Sequence, residues 1–172
     1  NSNPVQGGTT TGSGNFEENM TIVVTATPNI GYSFVQWVGE DFTDRNSSLA
    51  LTLNDDSNLS AIFELKKYNL TLFETTGGKT SGSGTYEHGT TAQISAFPDD
   101  GFGFKEWLGK GISDPYSQTT FIDIEEDKNF TASFERTKHQ LTVYATTGGT
   151  ATGSGTFDYG ETVTVQAIPD AG

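Results

Sequence analysis

Apolar residues alternate with polar ones in short runs that recur along the chain. Ile22, Val24 and Ala26 stand at every second position, Ala92, Ile94 and Ala96 repeat them, and Val163, Val165 and Ala167 repeat them again. The residues between are mostly polar, among them Thr25, Gln93, Ser95, Thr164 and Gln166. A two-residue period of this kind predicts a strand with one buried and one wet face. The same alternation runs through Leu70 and Leu72 with Leu141 and Val143, through Leu51 and Leu53 with Ile122 and Ile124, and through Leu59, Ala61 and Phe63 with Phe130, Ala132 and Phe134. Four strands per unit follow. Between the second and third lies an aromatic cluster, Tyr32, Phe34 and Trp37, matched by Phe102, Phe104 and Trp107. Its spacing lengthens from two to three, which predicts a short strand ending in a turn. Those rings, with Phe63 and Phe134, are expected to plug the core of a unit too small to close with aliphatics alone.

The runs recur because the chain copies itself. GGTTTGSG at Gly7 to Gly14 returns as GGKTSGSG at Gly77 to Gly84 and as GGTATGSG at Gly148 to Gly155, steps of 70 and 71 residues. Pro28, Pro98 and Pro169 keep those steps, and GYSFVQWVG from Gly31 matches GFGFKEWLG from Gly101. From Asn58 onward the match to Asn129 runs at 71, so the one extra residue lies between Gly109 and Asn129, which marks a loop. The repeats divide the chain into residues 1–66, a unit lacking its first strand, a complete unit at 67–137, and the N-terminal half of a third at 138–172. The chain therefore reads as a fragment of a longer protein. The boundaries Leu65 to Lys67 and Arg136 to Lys138 are short and hold no Gly or Pro, so the units are expected to be joined semi-rigidly.

Charge and composition narrow the partners. The net charge is −13 with only nine Lys and Arg, which argues against nucleic acid and anionic membranes, since both demand a basic footprint. No apolar run approaches the roughly 18 residues of a membrane span, so no membrane insertion is expected in this segment. The absence of cysteine excludes a disulfide framework and thiolate metal sites.

Several patterns invite a chemical reading. Gly77-Gly78-Lys79-Thr80 echoes the end of a phosphate-binding loop, but its first glycine would fall at Phe73 and the lysine is Thr9 and Thr150 in the other copies. The glycines are better explained as positive-φ or bulge positions. His88 and His139 occupy unrelated repeat positions, so each reads as a lone exposed histidine outside any duplicated catalytic or metal set. Glu125 with Glu126 and Asp99 with Asp100, read as strand neighbours, point to opposite faces and cannot bracket one bond. No enzyme is expected. Calcium is the more serious candidate: Asp55 and Asp56 align with Glu126 and Asp127 in an expected hairpin between the third and fourth strands, and Asp41 and Asp44 lie near the equivalent of Asp114. Acidic turn residues are also ordinary turn chemistry, and no D-x-[DN]-x-[DN]-G pattern is present. The Asn-x-Ser/Thr triplets at Asn19, Asn46, Asn58, Asn69 and Asn129 reflect composition.

The order of a strand, a GG-x-x-x-GSG-x-[FY] turn, a strand ending in proline, G-[YF]-x-F-x-x-W-x-G and a late A-x-F strand resembles the divergent internalin-type B-repeat of bacterial surface proteins. The resemblance covers nearly the whole chain. It implies a mainly β fold, a tandem array of small modules of about 70 residues, β-grasp-like or a small sandwich, with little or no helix. It brings no catalytic residues and no cofactor. By this resemblance the chain is expected to be a stalk or spacer of a large extracellular adhesin. The alternative is a carbohydrate-binding array attached to a polysaccharide-active enzyme, with Trp37 and Trp107, or Phe73 and Tyr144, as sugar-stacking platforms. Ring exposure discriminates them. Expected partners are neighbouring repeats, a glycan or host-surface ligand, and other copies of the chain. In that last case Gln140 to Ala145 would complete the first unit of a neighbouring molecule, unless the last half-unit caps the second.

Overall fold

The computed structural model describes residues 2–171, and almost all of its regular structure is strand. Repeat 1 contains β1 (Ser2–Asn3), a 3₁₀ turn at Val5–Gly7, β2 (Gly8–Thr11), β3 (Met20–Pro28), β4 (Tyr32–Val38), β5 (Thr43–Asp44), β6 (Ser48–Leu53) and β7 (Ser60–Leu65). Repeat 2 contains β8 (Lys67–Glu74), β9 (Gly78–Ser81), β10 (Gly84–Glu87), β11 (Thr90–Pro98), β12 (Phe102–Leu108), β13 (Thr119–Ile124) and β14 (Lys128–Arg136). Repeat 3 contributes β15 (Lys138–Leu141), β16 (Gly149–Thr152), β17 (Gly155–Asp158) and β18 (Gln166–Pro169).

The complete repeat thus has seven strands rather than the four that alternation alone predicts. The glycine-rich segment accounts for two of them, because β9 and β10 join different sheets: one has the order β10-β8-β14-β12 and the other β13-β11-β9. Repeat 1 shows the same plan, with β1-β7-β4-β5 facing β2-β3-β6. Val24 and Ala26 of β3, Trp37 of β4 and Ala61 and Phe63 of β7 form its core, so the two sheets pack as a small sandwich. The close approach of the sheets requires the glycines: a Cβ at Gly78 would collide with the Phe134 ring, and one at Gly8 with Phe63.

In β12 and β4 the predicted turn at the aromatic cluster is replaced by a β-bulge. Pairing of β4 with β7 shifts between Phe34 and Gln36, and pairing of β12 with β14 shifts between Phe104 and Glu106. One extra residue, Val35 or Lys105, restores the face, so Phe34 and Trp37 point the same way at a spacing of three while the strand continues.

Packing divides the chain into two compact units. One is the chain up to Asn69 with Thr85–Thr91 and Asp123–Asp127; the other is Leu70–Gly84, Ala92–Ile122 and the chain from Lys128 onward. In the second unit Leu70, Leu72, Ile94, Trp107, Ile122, Phe130 and Phe134 are buried. Each such aliphatic side chain contributes roughly 1.5–3 kcal/mol. Repeat 3 departs from its predicted strands. Val143, Val163 and Val165 lie outside any strand, because β15-β17 and β16-β18 are only two-stranded and the strands that would flank them in a complete repeat are missing from the described residues. In repeat 1, where no first strand is expected, β1 pairs parallel with β7 through Ser2 and Asn3, a stub of the pairing that β8 makes with β14.

Candidate functional site

One feature built twice with the same backbone atoms is the junction between repeats. At the first, the Lys66 N–H donates to the Gly31 carbonyl at 2.8 Å and the His88 N–H donates to the Lys66 carbonyl at 2.9 Å. The rings of Tyr68 and His88 lie 6.0 Å apart at 60°. Gly31 holds φ of +80, and a Cβ there would run into the His88 imidazole, so two independent constraints select glycine.

The second junction repeats this geometry in the other unit. The Thr137 N–H donates to the Gly101 carbonyl at 2.9 Å, and the Tyr159 N–H donates to the Thr137 carbonyl at 2.9 Å. The His139 and Tyr159 rings lie 6.2 Å apart at 54°. Gly101 holds φ of +78, and a Cβ there would strike the Tyr159 ring. The guanidinium of Arg136 lies over the Phe102 ring at 5.4 Å, and Lys138 pairs with Asp158 at 3.3 Å. The Lys138 side chain is 65% exposed and that of Asp158 42%, so solvent screens the pair and it contributes little.

The histidines do occupy different repeat positions and His139 is exposed, but neither is lone, since each lies beside a Tyr ring. His88 is half-buried, with its Nδ1 enclosed and lacking a hydrogen-bond partner, and it corresponds to Tyr159 one repeat on; His139 corresponds to Tyr68. Each junction has one His and one Tyr in exchanged places. The step of 71 that relates Lys66 to Thr137 carries this correspondence in the sequence.

The aromatic cluster lies inside. Trp37 and Trp107 are each 2% exposed, and each indole N–H donates at 3.1 Å to a backbone carbonyl, of Asn46 and Ser117 respectively. Phe34 tilts against Trp37 at 5.8 Å and meets Phe63 edge-on at 5.9 Å; Phe104 does the same with Trp107 at 5.7 Å and Phe134 at 6.1 Å. Tyr32 and Phe102 are half-buried beside them. Phe73 and Tyr144 are exposed, at 53% and 85%.

Asp55, Asp56, Glu126 and Asp127 are all exposed, and their turns cross from one sheet to the other instead of closing a hairpin. Asp127 is engaged structurally: its Oδ1 accepts the Asn69 N–H at 2.7 Å. Among the described residues no three His, Asp or Glu side chains converge as a metal site. Glu125 and Glu126 follow β13, and Asp99 and Asp100 follow β11, in turns rather than strands. No helix among the described residues is long and apolar enough to cross a membrane.

No curated protein and no solved structure matches the chain. The family model described as divergent InlB B-repeat domain matches residues 1–67, 68–138 and 139–172. Its three consecutive matches run through both junctions and all the repeated strands, and the chain belongs to the divergent InlB B-repeat family.

Proposed function

We propose that the chain is a non-catalytic tandem-repeat spacer of a large bacterial cell-surface or secreted adhesin-like protein. The observation that carries this reading is the duplicated junction. Glycine, backbone donors and ring pair are placed alike at Gly31–His88 and at Gly101–Tyr159, so what recurs is how one repeat is seated on the next. A module whose task is spacing needs that contact copied and needs no particular surface side chain.

The carbohydrate reading is weaker because Trp37 and Trp107, its best residues, are buried with their N–H groups satisfied. Other exposed rings are not copied: Phe97 and Phe121 correspond to Thr27 and Ala50. Phe73 and Tyr144 remain its only copied pair of exposed rings among the described residues.

Stretching the chain between its ends tests the spacer role. Repeat 2, about 70 residues, should release roughly 250 Å of contour in one step, at about 3.6 Å per residue. Smooth extension without a step would overturn the reading. So would saturable polysaccharide binding that is lost in Phe73→Ala or Tyr144→Ala.

A further inference from the structure

Repeat 2 departs from repeat 1 on the outer face of the sheet β13-β11-β9. Ala92, Ile94 and Ala96 of β11 are buried, as are Thr120 and Ile122 of β13, so Ser95 and Phe97, with Thr119 and Phe121, take the outer face. Phe97 and Phe121 are 55% and 60% exposed. In repeat 1 their places hold Thr27 and Ala50, and the three strands pair in the same order. Threonine suits a strand as well as phenylalanine does, so neither pairing nor packing calls for the rings. Two more positions of this face change with them. Lys79, opposite Phe97 on β9, stands where repeat 1 has Thr9, and Gln93 stands where it has Val23. Both are exposed.

The rings are set about a polar pair. Ser95 Oγ and Thr119 Oγ1 lie 3.1 Å apart, and the Ala96 N–H donates to the Gln118 carbonyl at 2.9 Å. Ser95 therefore stands opposite Thr119, as Thr25 stands opposite Ser48 in the antiparallel pairing of repeat 1. Phe97 and Phe121, each two residues further on, lie diagonally on either side of that pair. At about 3.4 Å per residue and about 4.8 Å between strands, their Cα atoms are about 14 Å apart.

Rings alternating with hydrogen-bonding groups suit a partner that is apolar and hydroxylated in turn. A purely apolar surface would bury the Lys79 and Gln93 donors unpaired, and a second copy would set a net charge of −13 against its equal. We propose that this face binds an uncharged glycan chain running from Phe97 to Phe121. The C–H face of a sugar ring, slightly positive, rests on the negative face of each phenyl ring. Lys79, Gln93 and the hydroxyl pair bond the sugar hydroxyls between them. The net charge disfavours polymers that carry carboxylate or sulfate. Repeat 1 lacks the rings, so this is a single site carried on a spacer rather than a copied array.

Gel retardation of the full chain by three soluble polymers, mixed-linkage β-glucan, glucomannan and arabinoxylan, tests this. At least one should slow the wild-type protein saturably. Phe97→Thr and Phe121→Ala install what repeat 1 carries, so each should keep the native circular dichroism while weakening retardation several-fold. Phe73→Ala and Tyr144→Ala, outside this sheet, should leave retardation unchanged. Retardation by none of the three polymers overturns the inference. So does binding that survives both substitutions, or that falls with Phe73→Ala or Tyr144→Ala instead. Alginate binding that Lys79→Ala abolishes and Phe97→Thr does not would assign the face to an anion, and self-association in sedimentation that Phe97→Thr abolishes would assign it to a second copy; either result overturns the inference as well.

Discussion

Gly101→Ala isolates what the junction contributes. Gly101 and Gly160 share nearly the same left-handed backbone, with φ of +78 and +76, so a methyl group costs each of them about 1–2 kcal/mol in conformation alone. Their surroundings differ. At Gly160 the methyl meets open space, and at Gly101 it meets the Tyr159 ring. Tyr159 is 48% exposed, so of the roughly 200 Å² such a ring can bury about 100 Å² is covered, or about 2.5 kcal/mol at 25 cal/mol/Å². Residual burial in the unfolded chain trims this by roughly 10–40%, and Gly101 supplies only part of the cover. The expected excess of Gly101→Ala over Gly160→Ala is therefore about 1–2 kcal/mol. Urea unfolding with unchanged m-values measures it. Placing both substitutions on a Tyr159→Ala background completes the cycle, and there the excess should vanish. Equal losses in the two single variants, within about 0.5 kcal/mol, would refute the reasoning, as would an excess that survives removal of the ring.

Three further outcomes follow from the same contacts. Trp107→Ala should cost about 3–5 kcal/mol in urea unfolding, and Trp107→Phe about 1–3 kcal/mol because the Ser117 carbonyl loses its donor; a Trp107→Ala protein as stable as wild type would place the indole outside the core. Asp127→Ala should lose about 1 kcal/mol through the Asn69 N–H it leaves unpaired, and Asp127→Asn should recover most of that; equal losses would mean that the side-chain oxygen is not the acceptor that matters. Millimolar calcium should leave the melting temperature where a chelator leaves it, since Asp55, Asp56, Glu126 and Asp127 are exposed and unclustered; a saturable rise abolished by Asp55→Asn would contradict this.

The strands that carry repeated alternation were legible because a period of two leaves a mark in any copy. The small strands were not. β9 and β10 are built of Gly, Lys, Thr, Ser, Tyr and Glu, with too few apolar residues to show a period, and their place in the sheets comes from tertiary pairing. The bulges at Val35 and Lys105 look in sequence like a broken period, since a bulge and a turn change the spacing of side chains alike. The junction was hidden by residue identity. Tracking histidine as a type sets His88 and His139 apart, whereas tracking position at the step of 71 sets His88 on Tyr159 and Tyr68 on His139.

That exchange bears on what the array preserves. A catalytic or metal-ligating imidazole must present one nitrogen at one place, and moving it to the opposite strand of the junction moves that nitrogen with it. Here the imidazole changes strands between the two junctions, yet the ring separations are 6.0 and 6.2 Å and the tilts 60° and 54°. What the two copies hold in common is a pair of flat rings beside a glycine that leaves room for one of them. Rings of either kind satisfy that packing, because the contact uses their faces and edges rather than a particular nitrogen or hydroxyl. A binding array would keep its outward side chains and could vary its seams. Outside, this chain varies Thr27 against Phe97 and Ala50 against Phe121 but keeps a ring at Phe73 and Tyr144, and at the seam it keeps Gly31 with Gly101. A kept seam is what the proposed spacer role expects of modules copied for how they join.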